Sequence, residues 1–410
     1  MKQVVQPGVL SGNIRIPASK SDSQRAILCA ALAEGTSVLA NIGNSDDEQA
    51  MLEAVQVLGA NVTRISDSEI HISGIKELNE SLEVSAGESG LGLRLLTCVC
   101  AGFDQKVVLN GRGSLPARPM HFFDAILPRF GCAVKSHNGF LPIEVHGPME
   151  GTTVEVDGSL SSQFISGLLM ALPRSKNSSQ LTVSEMKSGP YIQMTLNTLK
   201  QFGIQIENEA NRFKIAGNQS YRAANYTVEG DWSSASYWLV AAAIGHPATV
   251  SGLNMSSSQA DKALLDALMR SGCKIAFGEK IQVDGSALVP FEFDATDCPD
   301  LFPSLVVLAA KCKGISVLKG VHRLAHKESD RGLALQSEFG KMGLKIELKG
   351  DEMIIHGTAE LLGAEVDSHH DHRIAMCLGI AGSVAKGETI ISNAEAVSKS
   401  YPGFWQDFGK

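Results

Sequence analysis

Apolar and polar positions along the chain repeat with a period of about seventy residues. Segments whose apolar residues lie three or four apart, such as Met51, Ala54, Val55 and Leu58, predict amphipathic helices. Five of these segments end in a Gly followed by alternating apolar residues, which predicts a left-handed helix terminus that leads into a strand. These glycines, at intervals of 72, 72, 69 and 71 residues, are Gly59, Gly131, Gly203, Gly272 and Gly343. A sixth Gly of this kind is expected at Gly409.

The beginnings of the repeating units carry a pattern of their own. Six times, a short strand-like segment meets Ser, Asp or Gly and then an apolar helical segment. The residues that mark these points, at intervals of 70, 72, 70, 66 and 74, are Ser19, Ser89, Ser161, Asp231, Asp297 and Asp371. Each unit is longer than the roughly 20 to 45 residues of a solenoid repeat. The pattern therefore predicts six small modules, each reading strand, helix, strand, helix and two strands (βαβαββ).

The predicted fold class is α/β, with two similar globular domains that each contain three modules about a pseudo-threefold axis and with a cleft between the domains. The last unit lacks strands after its second helix, whereas residues 2–17 offer strand material without a preceding helix. We therefore expect the amino terminus to complete the final module. The predicted domains are residues 19–229 and residues 1–18 plus 230–410. Pro128 is expected to shorten the second helix of its module.

Composition narrows the class of protein. The 410 residues are 44% hydrophobic and carry a formal net charge of −8, which argues against nucleic-acid and membrane-surface partners. The amino terminus shows no signal or transit peptide, and no apolar run approaches the roughly 18 to 20 residues of a membrane helix. The eight cysteines show no metal-ligand spacing and are expected to be reduced. These features predict a cytoplasmic α/β protein.

Cations are concentrated near the predicted beginnings of modules. Helix amino termini carry partial positive charge, so cations there favour a bound anion that neutralises them. The eight residues are Lys20, Arg25, Arg94, Arg118, Lys327, Arg331, Arg373 and Lys399. All but Arg118, which precedes a Pro, lie at or near predicted helix starts. Any one such cation is better explained as a solvated or ion-paired charge, because a surface charge misplaced on a helix dipole costs only about 0.3 to 1 kcal/mol. The set of eight predicts a ligand with several negative charges.

Two motifs suggest proton transfer. In "HKESDR", Lys327 and Arg331 are predicted to share a helix face, with Glu328 beside them as a candidate proton carrier. In "DCPDLFP", Asp297 and Asp300 precede a predicted helix, where a helix-capping role is as plausible as catalysis for either residue alone.

Other motifs limit the choice of ligand. The three histidines of "DSHHDHRIAM" are too close in sequence to converge readily on one metal ion at a helix start. "SSQF" places Ser161, Ser162 and Gln163 at another helix end, where they also suit an ordinary cap. Neither GxxxxGK[ST] nor a strand followed by GxGxxG occurs, so nothing supports the usual nucleotide sites.

These motifs, in this order, resemble the enolpyruvyl transferases, and among them the enzymes that act on shikimate 3-phosphate. The similarity runs from "ASKSDSQR" through "ARPM", "SSQF", "SGPYI", "DCPDLFP", "KESDR" and "DHRIAM" to "SKSYP". "KESDR" and "DHRIAM" are its most specific parts. The resemblance implies two inside-out α/β barrels of three βαβαββ modules each. It also implies transfer of the enolpyruvyl group of phosphoenolpyruvate to the 5-hydroxyl of shikimate 3-phosphate, by an expected monomer.

The resemblance also implies roles for individual residues. Asp300 would deprotonate the 5-hydroxyl, Glu328 would handle the proton at the methylene carbon, and Lys20 and Lys327 would assist catalysis. The residues implied to bind shikimate 3-phosphate are Lys20, Ser21, Arg25, Ser161, Ser162, Gln163, Ser188, Tyr191, Asp300 and Lys327. Those implied to bind phosphoenolpyruvate are Lys20, Gly90, Arg94, Arg118, Gln163, Arg331, Arg373 and Lys399. Metal is not required, because Lys and Arg neutralise the phosphates.

Some positions depart from the family pattern. Glu88, Leu91 and Leu95 replace residues that are usually Asn, Thr and Pro beside the implied phosphoenolpyruvate site, which leaves the response to glyphosate open. One alternative is the sister transferase that acts on UDP-N-acetylglucosamine, which requires a reactive Cys; Cys98, Cys100 and Cys132 all lie in apolar or helix-terminal surroundings. RNA terminal-phosphate cyclase shares such modules, but the acidic charge counts against it. A further alternative is an inactive paralogue that binds a phosphorylated metabolite.

Overall fold

A computed structural model describes residues 1–78, 81–159, 162–325, 327–358 and 360–409. The chain divides into two compact units, which we call the continuous unit (Ala18–Glu229) and the split unit (Met1–Pro17 with Gly230–Lys410). The boundary at Pro17 falls one residue before the predicted one.

The strands are β1 (Lys2–Val5), β2 (Gly12–Arg15), β3 (Thr36–Ala40), β4 (Asn61–Ser66), β5 (Glu69–Ser73), β6 (Ser81–Ser85), β7 (Lys106–Asn110), β8 (Ala133–His137), β9 (Phe140–His146), β10 (Thr153–Asp157), β11 (Ser179–Ser184), β12 (Ile206–Glu209), β13 (Arg212–Ile215), β14 (Asn225–Thr227), β15 (Ala248–Ser251), β16 (Lys274–Ala276), β17 (Gln282–Asp284), β18 (Glu292–Asp294), β19 (Gly314–Lys319), β20 (Lys345–Lys349), β21 (Glu352–Gly357), β22 (Glu365–Asp367) and β23 (Thr389–Ser392). The α-helices are α1 (Lys20–Leu32), α2 (Asp46–Val57), α3 (Gly90–Cys100), α4 (Phe122–Ile126), α5 (Ser162–Ala171), α6 (Gly189–Gln201), α7 (Trp232–Ala243), α8 (Leu264–Arg270), α9 (Phe302–Lys311), α10 (Arg331–Lys341), α11 (His372–Ser383) and α12 (Phe404–Phe408).

The continuous unit contains three four-stranded sheets that share one topology. Their strand orders are β14-β3-β5-β4, β6-β7-β9-β8 and β10-β11-β13-β12. In each sheet a parallel pair is extended by an antiparallel hairpin; for example, Val84 of β6 lies opposite Leu109 of β7 in the parallel pair. Helix α3 packs against α5, and α1 packs against α2 and α6. Every residue of α3 is buried, so the core of this unit lies around its helices.

The split unit repeats this plan less regularly. One sheet has the same order, β18-β19-β21-β20, and the others are β1-β23-β22, the pair β2-β15 and the hairpin β16-β17. An isolated bridge between Val250 and Ile281 joins the last two. Every residue of α7 and of α11 is buried, and both helices pack against α9. The mixed α/β architecture with repeated modules is therefore confirmed.

The amino-terminal strands complete two modules rather than one. Strand β1 pairs antiparallel with β23 in the final module, as predicted. Strand β2, however, pairs in parallel with β15, and β14 pairs in parallel with β3 in the first module. The strand that precedes the first module in the sequence, β2, thus belongs to the fourth module. The strand that precedes the fourth module, β14, belongs to the first. The sequence pattern shows that a strand precedes a helix, but a parallel partner is distant in the chain and the local pattern does not reveal it.

Most of the helix ends that the sequence predicts at Gly and Pro residues are found in the structure. The five helix-ending glycines have φ values of +100°, +80°, +82°, +87° and +84°, which confirms their left-handed conformation. Gly409 has φ −86°, so the expectation of a sixth left-handed terminus was wrong. Pro128 lies in a 3₁₀ turn directly after the five-residue helix α4, which confirms the shortened helix. Among the described residues no helix is long and apolar enough to cross a membrane.

Candidate functional site

The first cation of the continuous unit is held by a carboxylate. Lys20 begins α1, and its Nζ donates to Oδ2 of Asp47 at 2.9 Å. Asp47 lies in the first turn of α2, which a capping box between Ser45 and Glu48 fixes in place. The unfavourable position of Lys20 on its helix dipole is thus offset by a buried acid. Sequence reasoning missed Asp47, because "SDDE" reads only as an acidic helix start.

Arg25 organises a second polar group on α1. Its side chain is only 1% exposed, and it donates to Thr195 Oγ1 at 2.8 Å, to the Ser21 carbonyl at 2.6 Å and to Ser166 Oγ at 3.4 Å. A further donation, also at 3.4 Å, reaches the Tyr191 carbonyl on α6. Burial lowers the pKa of Arg25 to about 10, so the guanidinium remains charged at neutral pH. The structure therefore brings Ser21, Arg25 and Tyr191 together.

Arg94 and Arg118 meet at the start of α3. Arg94 Nη1 donates to the Gly90 carbonyl at 2.9 Å and to Gln163 Oε1 at 3.0 Å. The Arg118 guanidinium lies directly against Gly90, where a Cβ atom would be 2.5 Å from Nη1. Any side chain at position 90 would therefore displace Arg118.

A buried hydrogen-bond bridge links two of these groups. Gln24 Nε2 donates to Ser89 Oγ at 2.9 Å and to the Asp47 carbonyl at 3.1 Å, which joins the Lys20 pair to the start of α3. Ser162 begins α5 beside Gln163, and Ser188 precedes α6 with φ +54°. Ser161, also predicted to bind ligand, lies outside the described residues.

Asp300 is the centre of a charged cluster in the split unit. It lies in the 3₁₀ turn Pro299–Leu301 that precedes α9. Its Oδ1 accepts from Arg331 Nη1 at 2.6 Å and from Lys327 Nζ at 3.2 Å, and its Oδ2 accepts from Arg373 Nη2 at 3.0 Å. Burial opposes ionisation, but the three cations hold the pKa of Asp300 well below its usual range. The carboxylate is therefore ionised and bound on both oxygens.

Asp371 binds the guanidinium of Arg331. Nε of Arg331 donates to Asp371 Oδ2 at 2.7 Å, and its Nη2 donates to Asp371 Oδ1 at 3.3 Å and to Glu328 Oε2 at 2.6 Å. Asp371 is fully buried and also caps α11 by accepting from the Arg373 N–H at 2.9 Å. One carboxylate thus binds the Arg331 side chain and the backbone of Arg373. The sequence marked Asp371 only as the start of a repeat, although its position before "HR" is the signal that it caps a cation-bearing helix.

Two local predictions in this unit were wrong. Lys327 lies before α10, which begins at Arg331, so the two residues do not share a helix face; they meet instead because both bind Asp300. Lys399 ends the 3₁₀ turn Ala394–Lys399 rather than starting a helix, because Pro402 and Gly403 delay α12 to Phe404. Its Nζ donates to the His370 carbonyl at 2.8 Å.

The described residues offer little support for a metal site or for a reactive thiol. Within the described ranges, no group of three or more His, Cys, Asp or Glu side chains is arranged to hold a metal ion. All eight cysteines are buried and form no disulfide. Burial raises the pKa of the Cys132 thiol to about 11 and raises the pKa of Cys98 well above its usual range. Neither thiol is activated as a nucleophile.

Comparison with known proteins gives one consistent result. A family model described as EPSP synthase (3-phosphoshikimate 1-carboxyvinyltransferase) matches residues 4–408. The 3-phosphoshikimate 1-carboxyvinyltransferase of Clostridium perfringens (strain SM101 / Type A) is 39% identical over 413 residues, which cover 99% of this chain and 97% of that protein. That of Clostridium beijerinckii is 38% identical, with coverage of 98% and 96%. A solved structure of EPSP synthase from Acinetobacter baumannii matches with a TM-score of 0.83 and 27% identity, covering 100% of this chain and 97% of that one.

Proposed function

The chain belongs to the EPSP synthase family, and from this membership we propose that it transfers the enolpyruvyl group of phosphoenolpyruvate to the 5-hydroxyl of shikimate 3-phosphate. The products are phosphate and 5-enolpyruvylshikimate 3-phosphate, on the chorismate branch of aromatic amino acid biosynthesis. The observation that carries the proposal is the ionised Asp300 held by Lys327, Arg331 and Arg373. A base and several phosphate-binding cations are what this reaction requires.

Asp300 is proposed as the base that takes the proton of the 5-hydroxyl. Glu328, held by Arg331 at 2.6 Å, is proposed to deliver a proton to the methylene carbon and later to remove one. Protonation makes the neighbouring carbon cation-like, and the hydroxyl oxygen then attacks it. The tetrahedral intermediate then loses phosphate and one proton of the new methyl group, which restores the carbon–carbon double bond and gives the enol ether of the product. Lys20 and Lys327 assist by stabilising the negative charge that develops on oxygen and phosphate.

We assign the substrate contacts by the same resemblance. The residues proposed to bind shikimate 3-phosphate are Lys20, Ser21, Arg25, Ser161, Ser162, Gln163, Ser188, Tyr191, Asp300 and Lys327. Those proposed to bind phosphoenolpyruvate are Lys20, Gly90, Arg94, Arg118, Gln163, Arg331, Arg373 and Lys399. In support, Arg25 lies within hydrogen-bond reach of the Ser21 and Tyr191 carbonyls, and Arg94 within reach of Gln163. The continuous unit is thus the proposed shikimate 3-phosphate side.

The test is the release of phosphate from phosphoenolpyruvate with and without shikimate 3-phosphate. We expect release only when both substrates are present, and a fall of about 10² to 10⁴-fold in Asp300→Asn and in Glu328→Gln. Asp266→Asn is the matched control, because Asp266 forms an exposed ion pair with Arg270 four residues along α8. Release without shikimate 3-phosphate, or full release in the Asp300 and Glu328 variants, would contradict the proposal.

The buried thiols argue against the sister transferase that acts on UDP-N-acetylglucosamine. We expect a thiol reagent to modify none of the eight cysteines rapidly until the protein is unfolded. A single fast-reacting Cys would favour that alternative.

The inactive paralogue is tested by the same phosphate assay. The absence of disulfides among all eight cysteines supports a reducing compartment, the cytoplasm, and we propose a monomer that uses no metal and no other cofactor.

A further inference from the structure

Two consecutive residues before α11 have a left-handed backbone conformation. His369 has φ +53° and His370 has φ +55°, and neither is a glycine. Such residues are strained, and a pair of them persists only where surrounding contacts enforce it. The carbonyl that this turn presents, that of His370, accepts from Lys399 Nζ at 2.8 Å. The strained turn therefore contacts one of the cations proposed to bind phosphoenolpyruvate.

Asp367 fixes the first half of the turn. Its Oδ1 accepts from the His369 N–H at 2.6 Å. Asn393 Nδ2 in turn donates to both oxygens of Asp367, at 3.0 and 3.1 Å. The loop that follows β22 is thus tied to the residue that follows β23.

Glu338 holds the same turn from α10. Its side chain is 1% exposed, and its Oε1 lies 2.9 Å from His369 Nε2. Its Oε2 accepts from the Asp367 N–H at 2.9 Å and from Lys341 Nζ at 2.6 Å. Glu338 therefore contacts the His369 side chain and the backbone of Asp367, but it does not itself contact Lys399.

We propose that Glu338 and His369 are positioning residues that hold the His370 carbonyl in place and thereby set Lys399 for phosphoenolpyruvate. This role rests on the proposed function. The chain of contacts runs from Glu338 to the His369 ring, through the strained backbone to the His370 carbonyl, and then to Lys399 Nζ. Loosening it displaces the ammonium group and weakens the binding of phosphoenolpyruvate, whereas shikimate 3-phosphate, which Lys399 is not proposed to contact, is unaffected.

The first test compares two substitutions at one position. His370→Asn and His370→Val both remove the imidazole, but Asn tolerates a left-handed conformation and the β-branched Val does not. We expect the KM for phosphoenolpyruvate to be about tenfold higher in the Val variant than in the Asn variant, with the same KM for shikimate 3-phosphate in both. Equal values for phosphoenolpyruvate would overturn the proposal.

The second test removes the Glu338 carboxylate, which binds the turn. Glu338→Ala removes both acceptor oxygens, so the contacts with the His369 ring and the Asp367 N–H are lost, and we expect about a tenfold rise in the KM for phosphoenolpyruvate alone. Lys341→Gln is the control, because it removes a different ion pair of Glu338 and leaves the turn in place; its KM stays at the wild-type value. Thermal unfolding of each variant shows that it is folded.

A readout without turnover separates this inference from the proposed function. Trinitrobenzenesulfonate modifies exposed lysines, and peptide mass spectrometry measures the rate at Lys399. We expect faster modification in His370→Val and Glu338→Ala than in Lys341→Gln, even if the wild-type protein releases no phosphate. Equal rates at Lys399 in all three would overturn the positioning role, whereas a lack of phosphate release would overturn only the function.

Discussion

Asp300 Oδ1 accepts a hydrogen bond from Arg331 Nη1 at 2.6 Å. The proposed base therefore forms an ion pair with a residue that is proposed to bind phosphoenolpyruvate. Lys327 and Arg373 bind the same carboxylate. An incoming anion must therefore compete with Asp300 for these cations. If Asp300 is the base, we expect it to be released for catalysis as the substrate takes up these cations.

This competition gives a prediction that separates binding from chemistry. Asp300→Asn removes the negative charge that occupies the three cations, so we expect phosphoenolpyruvate to bind at least as tightly as to the wild-type protein while turnover falls about 100-fold or more. Calorimetric titration of phosphoenolpyruvate without shikimate 3-phosphate, a mixture in which no turnover is expected, measures the first quantity, and phosphate release with both substrates measures the second. A loss of affinity as large as the loss of turnover would contradict this relationship.

The pair formed by Arg331 and Asp371 predicts a large effect on stability. Both side chains are buried, so Asp371→Asn leaves the Arg331 charge without its main counterion and is expected to lower the free energy of unfolding by about 3 to 5 kcal/mol. Urea titration measures the change. The exposed pair of Arg270 with Asp266 is the control, and Asp266→Asn is expected to cost less than about 1 kcal/mol. Similar losses in the two variants would be inconsistent with a buried structural pair.

Asp22 predicts a pH dependence of stability in the continuous unit. Its Oδ1 accepts from the Tyr226 hydroxyl at 2.6 Å and its Oδ2 from the Glu229 N–H at 3.1 Å, near Arg25. Burial raises the pKa of Asp22 from 3.8 to about 6, despite these hydrogen bonds. Because the folded pKa is raised, the contribution of this group to stability is complete below pH 3.8 and is lost as the pH rises through about 6.

The variant Asp22→Asn lacks this titration. Relative to the wild-type protein, its free energy of unfolding should therefore increase between pH 4 and pH 7, by an amount on the order of 3 kcal/mol. Urea titrations of both proteins at several pH values provide the measurement. Parallel curves for the two proteins would show that Asp22 does not titrate in this range.

Gly90 predicts a specific effect on phosphoenolpyruvate. A Cβ atom at this position would lie 2.5 Å from Arg118 Nη1, so Gly90→Ala displaces the guanidinium and should raise the KM for phosphoenolpyruvate about tenfold or more. Gly340→Ala is the control, because Gly340 also lies within a helix and a methyl group added there would meet nothing within 4 Å. Steady-state kinetics with both substrates measures the KM for phosphoenolpyruvate in each variant. Equal KM values for the two variants would refute a contact between Gly90 and Arg118.

Local signals in the sequence predicted the modules well. The helix ends at Gly59, Gly131 and Gly203, and the short helix before Pro128, follow from backbone preferences that act within a few residues. The partner strands of β2 and β14, which are β15 and β3, could not be predicted in this way, because a parallel strand and its partner are separated by a long connection.

The chemistry of the site was predicted less completely than the fold. The spacing of the motifs identified the cations, but it did not identify Asp47 and Asp371 as their buried partners. Partners of this kind depend on distances between helices, which a motif does not contain. Lys399 was misplaced on a helix start because the sequence "SKSYP" does not show whether the helix begins before or after its Pro.

The most direct test of the proposed activity is a ³¹P nuclear magnetic resonance time course of the wild-type protein with phosphoenolpyruvate and shikimate 3-phosphate. We predict that the signals of both substrates decline together, while inorganic phosphate and one new phosphate ester appear in equal amounts. Decline of the phosphoenolpyruvate signal alone, or no change in either signal, would contradict enolpyruvyl transfer by this chain.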